Sequence, residues 1–62
     1  MRETTAAEYA SKTATPHALK RIMETSRIQT VSWSVNGRVI AEKVTLFKRN
    51  KPYSTAYYVS DQ

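Results

Sequence analysis

The sequence predicts an α+β fold, with two short N-terminal helices packed on a three-stranded antiparallel β-meander, and three observations lead there. Leu19, Ile22 and Met23 stand at i, i+3 and i+4, the apolar stripe of an amphipathic helix. From Ile28 the period changes to two, with Val31, Trp33 and Val35 alternating with Ser32 and Ser34. Asn36-Gly37 then breaks the alternation, and this pair suits a two-residue hairpin loop because both central residues of a type I′ turn take positive φ.

Taken in order, residues 1–4 are expected to fray as a chain end. Thr5-Ala6-Ala7-Glu8 fits a capping box: the Thr5 hydroxyl accepts from the amide three residues on, and Glu8 reaches back. The first helix is expected from Ala6 to about Lys12. Pro16 disfavours helical geometry at Thr15, which makes Thr15 an N-cap and Pro16 the first residue of a second helix reaching about Thr25. A two-residue loop at Asn36-Gly37 sets Val35 opposite Arg38 and Trp33 opposite Ile40. The strand from Arg38 to Phe47 carries a polar interruption, Ala41-Glu42-Lys43, where a bulge or bend is expected. Tyr53 to Val59 is rich in β-formers, which leaves Lys48-Arg49-Asn50-Lys51-Pro52 at the tip of a second hairpin. Tyr9, Ala10, Leu19, Ile22, Val31, Trp33, Val44, Leu46 and Val59 are the expected core.

The 62 residues form one small domain, and a chain of this size buries only about 60% of its unfolded surface. It has no cysteine to staple it and a single histidine, His17, so neither a metal site nor an acid–base pair for catalysis is visible. No cofactor is implied and an enzyme is not expected. No apolar run approaches the ~20 residues of a membrane span, so a cytoplasmic protein is expected. The charge is lopsided. Arg2 and Lys12 cancel Glu3 and Glu8, whereas eight basic and three acidic residues follow Leu19, and these carry the whole net charge of +5. A localised basic surface on a small module points to a polyanion partner, most often nucleic acid.

The segment Thr5-Ala-Ala-Glu-Tyr-Ala-Ser-Lys-Thr-Ala-Thr-Pro-His-Ala-Leu-Lys-Arg-Ile resembles small helix-turn-helix and winged-helix DNA-binding modules, through Ala10, the small Ala14 in the turn, and Leu19 and Ile22 on the second helix. The match spans about a third of the chain; its turn lacks glycine and no preceding helix completes a three-helix core. The resemblance implies a second helix in the major groove of double-stranded DNA, with Thr15, His17, Lys20 and Arg21 as base or phosphate contacts. It also implies a basic hairpin gripping the flanking backbone through Lys48, Arg49, Asn50 and Lys51, with Arg27, Arg38 and Tyr53 adding to the surface. A transcriptional or recombination accessory role follows, and a homodimer or neighbouring copies on DNA are expected. The bland alternatives are a helical hairpin packed on a sheet and a solvated charged turn. A different class of function is a phage- or plasmid-like protein that binds and inhibits or adapts a host protein through the sheet edge at Tyr53 to Val59. Single-strand binding by Tyr53 and its aromatic neighbours is a third reading.

Overall fold

A computed structural model describes residues 1–61, and it corrects the predicted fold. The described residues form one helix and a five-stranded antiparallel sheet. The elements are β1 (Arg2–Thr4), α1 (Ala6–Thr13), β2 (Leu19–Glu24), β3 (Ile28–Val35), β4 (Arg38–Lys48) and β5 (Lys51–Val59). In space the strands run β1-β5-β4-β3-β2, a meander with the N-terminal strand added beside β5. Residues 2–4, in the segment expected to fray, pair with Tyr57–Val59.

The second helix is absent, and with it the helix-turn-helix and winged-helix resemblance. Thr15 to Ala18 is a tight turn, closed by the Ala18 N–H donating to the Thr15 carbonyl at 3.3 Å. Pro16 fits the second position of such a turn, and His17 takes the third with φ 65°, the pattern of a type II turn. Leu19 to Glu24 then enters the sheet as β2, paired residue by residue with Gln29 to Ser34. The roughly ten residues of the expected helix are too few to sustain it on intrinsic preference, and six of them join the sheet. The Thr25 turn offers every one of them a partner on β3 instead. Thr25 shapes that turn: its hydroxyl accepts from the amides of Arg27 and Ile28 at 3.2 and 3.3 Å, a local arrangement Thr favours in turns.

The first helix is where the capping signal placed it. Thr5 is its N-cap and accepts from the Glu8 amide at 3.2 Å. Glu8 does not reach back to Thr5. Its carboxylate takes both terminal nitrogens of Arg2, each at 2.9 Å, and also accepts from the Thr4 hydroxyl. The Arg2 Nε donates to Asp61 at 2.6 Å, so one guanidinium clasps both chain ends to α1. The hydrogen bonds from Arg2 and then Thr4 hold the Glu8 carboxyl at about 2, below its ordinary 4.5, and Arg2 is raised in turn, first by Glu8 and then by Asp61.

Cross-strand partners share a face, so the register assigns the two sides. Trp33, Ala41, Val59 and Arg2 form one row, and α1 lies over it. The Tyr9 hydroxyl accepts from Trp33 Nε1 at 2.8 Å, and the Tyr9 ring meets Tyr57 at 5.1 Å, tilted by 52°. Ala41, at 0% exposure, and Val59, at 1%, are the floor of this core, with Ile40 beside them. Burial raises the Tyr9 phenol above its ordinary value.

The Asn36-Gly37 loop forms as expected, with φ 54° and 78° and Val35 opposite Arg38. A bulge follows at once: Trp33 faces Ala41 and Ser34 faces Val39, which leaves Ile40 as the extra residue. This moves Trp33 off Ile40 and turns both Ile40 and Ala41 inward. Of the expected core, Val31 and Val59 are buried, and Tyr9 and Trp33 pack partly buried at its margin. Val44 and Leu46 are half-buried on the opposite face, which no element covers, and Ala10, Leu19 and Ile22 are exposed. The molecule is elongated, 35 × 20 × 17 Å. Among the described residues no helix is long and apolar enough to cross a membrane.

Candidate nucleic-acid interface

Two turns lie side by side at the end of the sheet away from α1. The β4–β5 hairpin closes with Lys48 opposite Lys51 and Arg49-Asn50 between them, at φ 53° and 64°. These positive angles are the type I′ requirement met without glycine, and an Arg there carries a backbone cost of roughly 1 kcal/mol. The β2–β3 turn is fastened alongside by the Phe47 N–H donating to the Arg27 carbonyl at 2.8 Å. Arg27, Lys48, Arg49 and Lys51 are therefore gathered at one end, all exposed, and none is paired with a carboxylate among the described residues.

A second bulge shapes this end. Leu46 faces Ser54 and Phe47 faces Pro52, so Tyr53 is the extra residue of β5 and stands 63% exposed. Lys48, Arg49, Lys51, Pro52 and Tyr53 line an open groove of about 490 Å³. Cations flank the groove and an aromatic face is available inside it. That arrangement can hold a phosphate chain and stack one base or sugar. Pro52 was the available signal for the bulge, since proline inside a strand is confined to edges and irregularities.

The sequence-predicted site residues divide into two groups. Arg27, Lys48, Arg49, Asn50, Lys51 and Tyr53 come together at this tip. Thr15, His17, Lys20, Arg21 and Arg38 do not join them, and with no second helix the role of Thr15, His17, Lys20 and Arg21 as readers in the major groove is corrected. Thr15 closes α1 instead of capping a new helix, its hydroxyl donating to the Lys12 carbonyl at 2.6 Å. His17 is the positive-φ residue of the following turn. Lys20 places its ammonium 5.8 Å from the Trp33 ring, while Arg21 pairs with Ser32 on the uncovered face. Arg38 sits at the opposite end of β4 from Lys48. The expected edge at Tyr53 to Val59 is only partly one, because β1 covers Tyr57–Val59. The full-length edge is β2, a strand the helical reading concealed. Among the described residues no three His, Asp or Glu side chains gather as metal ligands would. Comparison with protein-family models, curated proteins and solved structures finds no match to this chain.

Proposed function

We propose that the chain is a small nucleic-acid-binding module that grips the phosphate backbone of double-stranded DNA through its basic hairpin tip, acting in the cytoplasm. The observation that carries the reading is a groove lined by Lys48, Arg49 and Lys51 that exposes Tyr53, with the turn carrying Arg27 fastened beside it through the Phe47 N–H. Sequence distance hides this: Arg27 lies far from Lys48 along the chain and beside it in space. The chemistry favours backbone contact over base reading. The tip offers flexible cations and one hydrogen-bonding amide, Asn50, but no helix to seat in a groove. Binding is therefore sequence-tolerant and strongly salt-dependent, because each phosphate neutralised releases counterions.

The test is binding to a random duplex and to a matched single strand across a salt series. Four phosphate contacts give a log–log slope of about −3.6 on duplex DNA. Lys48→Ala, Arg49→Gly and Lys51→Ala together reduce that slope to about −1. An unchanged slope and affinity in the triple variant would sink the proposal. Tighter single-strand binding that Tyr53→Ala abolishes would transfer the interface to base stacking.

A further inference from the structure

We infer that a second copy of this chain pairs with edge strand β2, antiparallel, about a two-fold axis at Ile22, to make one continuous ten-stranded sheet. The inference stands apart from the proposed function, since none of the tip cations takes part.

An unpaired edge is an aggregation risk that proteins normally blunt, and the edges here are not treated alike. β1 is three residues long. The free stretch of β5 carries Lys51, Pro52 and a bulge at Tyr53. β2 has no proline and no bulge, runs six residues in register with β3, and is exposed throughout. Its apolar side chains are largely bare: Leu19 at 69%, Ile22 at 51% and Met23 at 56%. The accessible surface of 4696 Å² also exceeds the roughly 4,100 Å² expected for a folded monomer of this mass.

The backbone fixes which residues can pair. The Thr25 N–H donates to the Ile28 carbonyl, and alternation along an antiparallel ladder then turns the amides of Met23, Arg21 and Leu19 toward β3. Lys20, Ile22 and Glu24 are left with N–H and C=O groups pointing outward. A two-fold perpendicular to the sheet at Ile22 sets Ile22 against the partner's Ile22, and Lys20 against the partner's Glu24, twice over. Every residue so opposed has its backbone groups outward. The same register that satisfies the ladder therefore places opposite charges face to face and an apolar pair at the centre. Registers centred on Arg21 or Lys20 set that cation against its own copy. Glu24 has one oxygen engaged by the Gln29 amide at 3.0 Å, and its other oxygen is the one offered to the partner's Lys20. In this assembly both helices lie on the same face and the two basic tips point to opposite ends.

Charge swapping tests the register. Sedimentation equilibrium of the wild-type chain is expected to give twice the 7.1 kDa chain mass. K20E alone and E24K alone each set like charges opposed at both ion pairs, and each raises the dimer dissociation constant about tenfold or more. Mixing the two variants restores dimers, because each then meets the complementary charge, and the double variant K20E/E24K dimerises like the wild type. Circular dichroism of each variant checks that the sheet is intact. If one single variant does not fold, the double variant carries the test, read against the single that does. A wild-type chain that stays at 7.1 kDa at every concentration, or a folded mixture no more dimeric than its components, overturns the inference.

Discussion

The two β-hairpin turns with positive φ at both central residues, Asn36-Gly37 and Arg49-Asn50, differ in what fills them, and the difference separates two halves of the molecule. Asn36-Gly37 is the pair such a turn favours, and Gly37 at φ 78° has open space where a Cβ would stand. It adjoins the end where α1, Trp33, Ala41 and Val59 pack and where Arg2 clasps both termini. Arg49-Asn50 adopts nearly the same angles at a cost, and it is exposed among cations. Stability is concentrated at the helix end, and unbalanced charge at the tip. Under the proposed function the guanidinium of Arg49 offsets that cost by contacting phosphate, and backbone strain of this kind is commonly found at working sites.

Truncating one aromatic at each end breaks or sharpens this contrast most strongly. Trp33→Ala removes the side chain that spans β3 and α1, and is expected to cost about 3 kcal/mol or more. In a domain whose whole stability is of order 5 kcal/mol, that shows in urea as a largely unfolded chain. Tyr53→Ala is expected to change stability by less than about 0.5 kcal/mol, while weakening nucleic-acid binding. Comparable losses at the two ends would erase the distinction. Tyr9→Phe is the finer probe. It leaves the ring against Tyr57 and strands the Trp33 N–H, at about 1 kcal/mol, again read from the urea midpoint.

These two ends were unequally legible in the sequence. Asn36-Gly37, the basic tip and the Thr5 cap depend on contacts between residues close in the chain, so local rules located them. β2 does not. Leu19, Ile22 and Met23 satisfy a helical stripe as well as Leu19, Arg21 and Met23 satisfy one face of a strand, and six residues are too short for the period to choose. The choice is made by β3, through pairing with Gln29 to Ser34. Ala41 was hidden for a related reason. Beside Glu42 and Lys43 it reads as part of a polar break, and only the bulge at Ile40 turns it into the most buried residue of the core. Of the candidate interface, the contiguous Lys48 to Tyr53 segment was readable. The arrival of Arg27 beside it was not, because that requires the Phe47–Arg27 hydrogen bond.

Acid acts on the helix end through Glu8. Glu8 has a folded value depressed to about 2 from 4.5, so the unfolded chain binds the proton more readily in between. Its contribution is fully present above about pH 4.5 and is lost as the pH falls toward about 2. Glu8→Gln should flatten the stability profile across that window and leave the neutral-pH fold intact. The Arg2–Glu8 pair is exposed, so solvent and salt hold the effect to a modest size. Thermal melts of the two proteins between pH 2 and pH 5 read it directly. A wild-type profile as flat as the variant's would mean the clasp contributes nothing to holding the termini on α1.

Arg49→Gly has a small effect on stability and the opposite sign. Glycine takes φ 53° without a Cβ penalty, so the variant should gain about 0.5 kcal/mol after its own unfolded-state entropy is counted. The same change deletes one of the four tip cations, and the salt slope of duplex binding should fall by about 0.9. A merely solvated turn predicts the gain in stability with no change in binding. A turn held rigid for structural reasons predicts a loss of stability. Only a strained residue kept for its charge gives a more stable protein that binds less well, and urea unfolding beside a salt titration on one pair of samples separates the three.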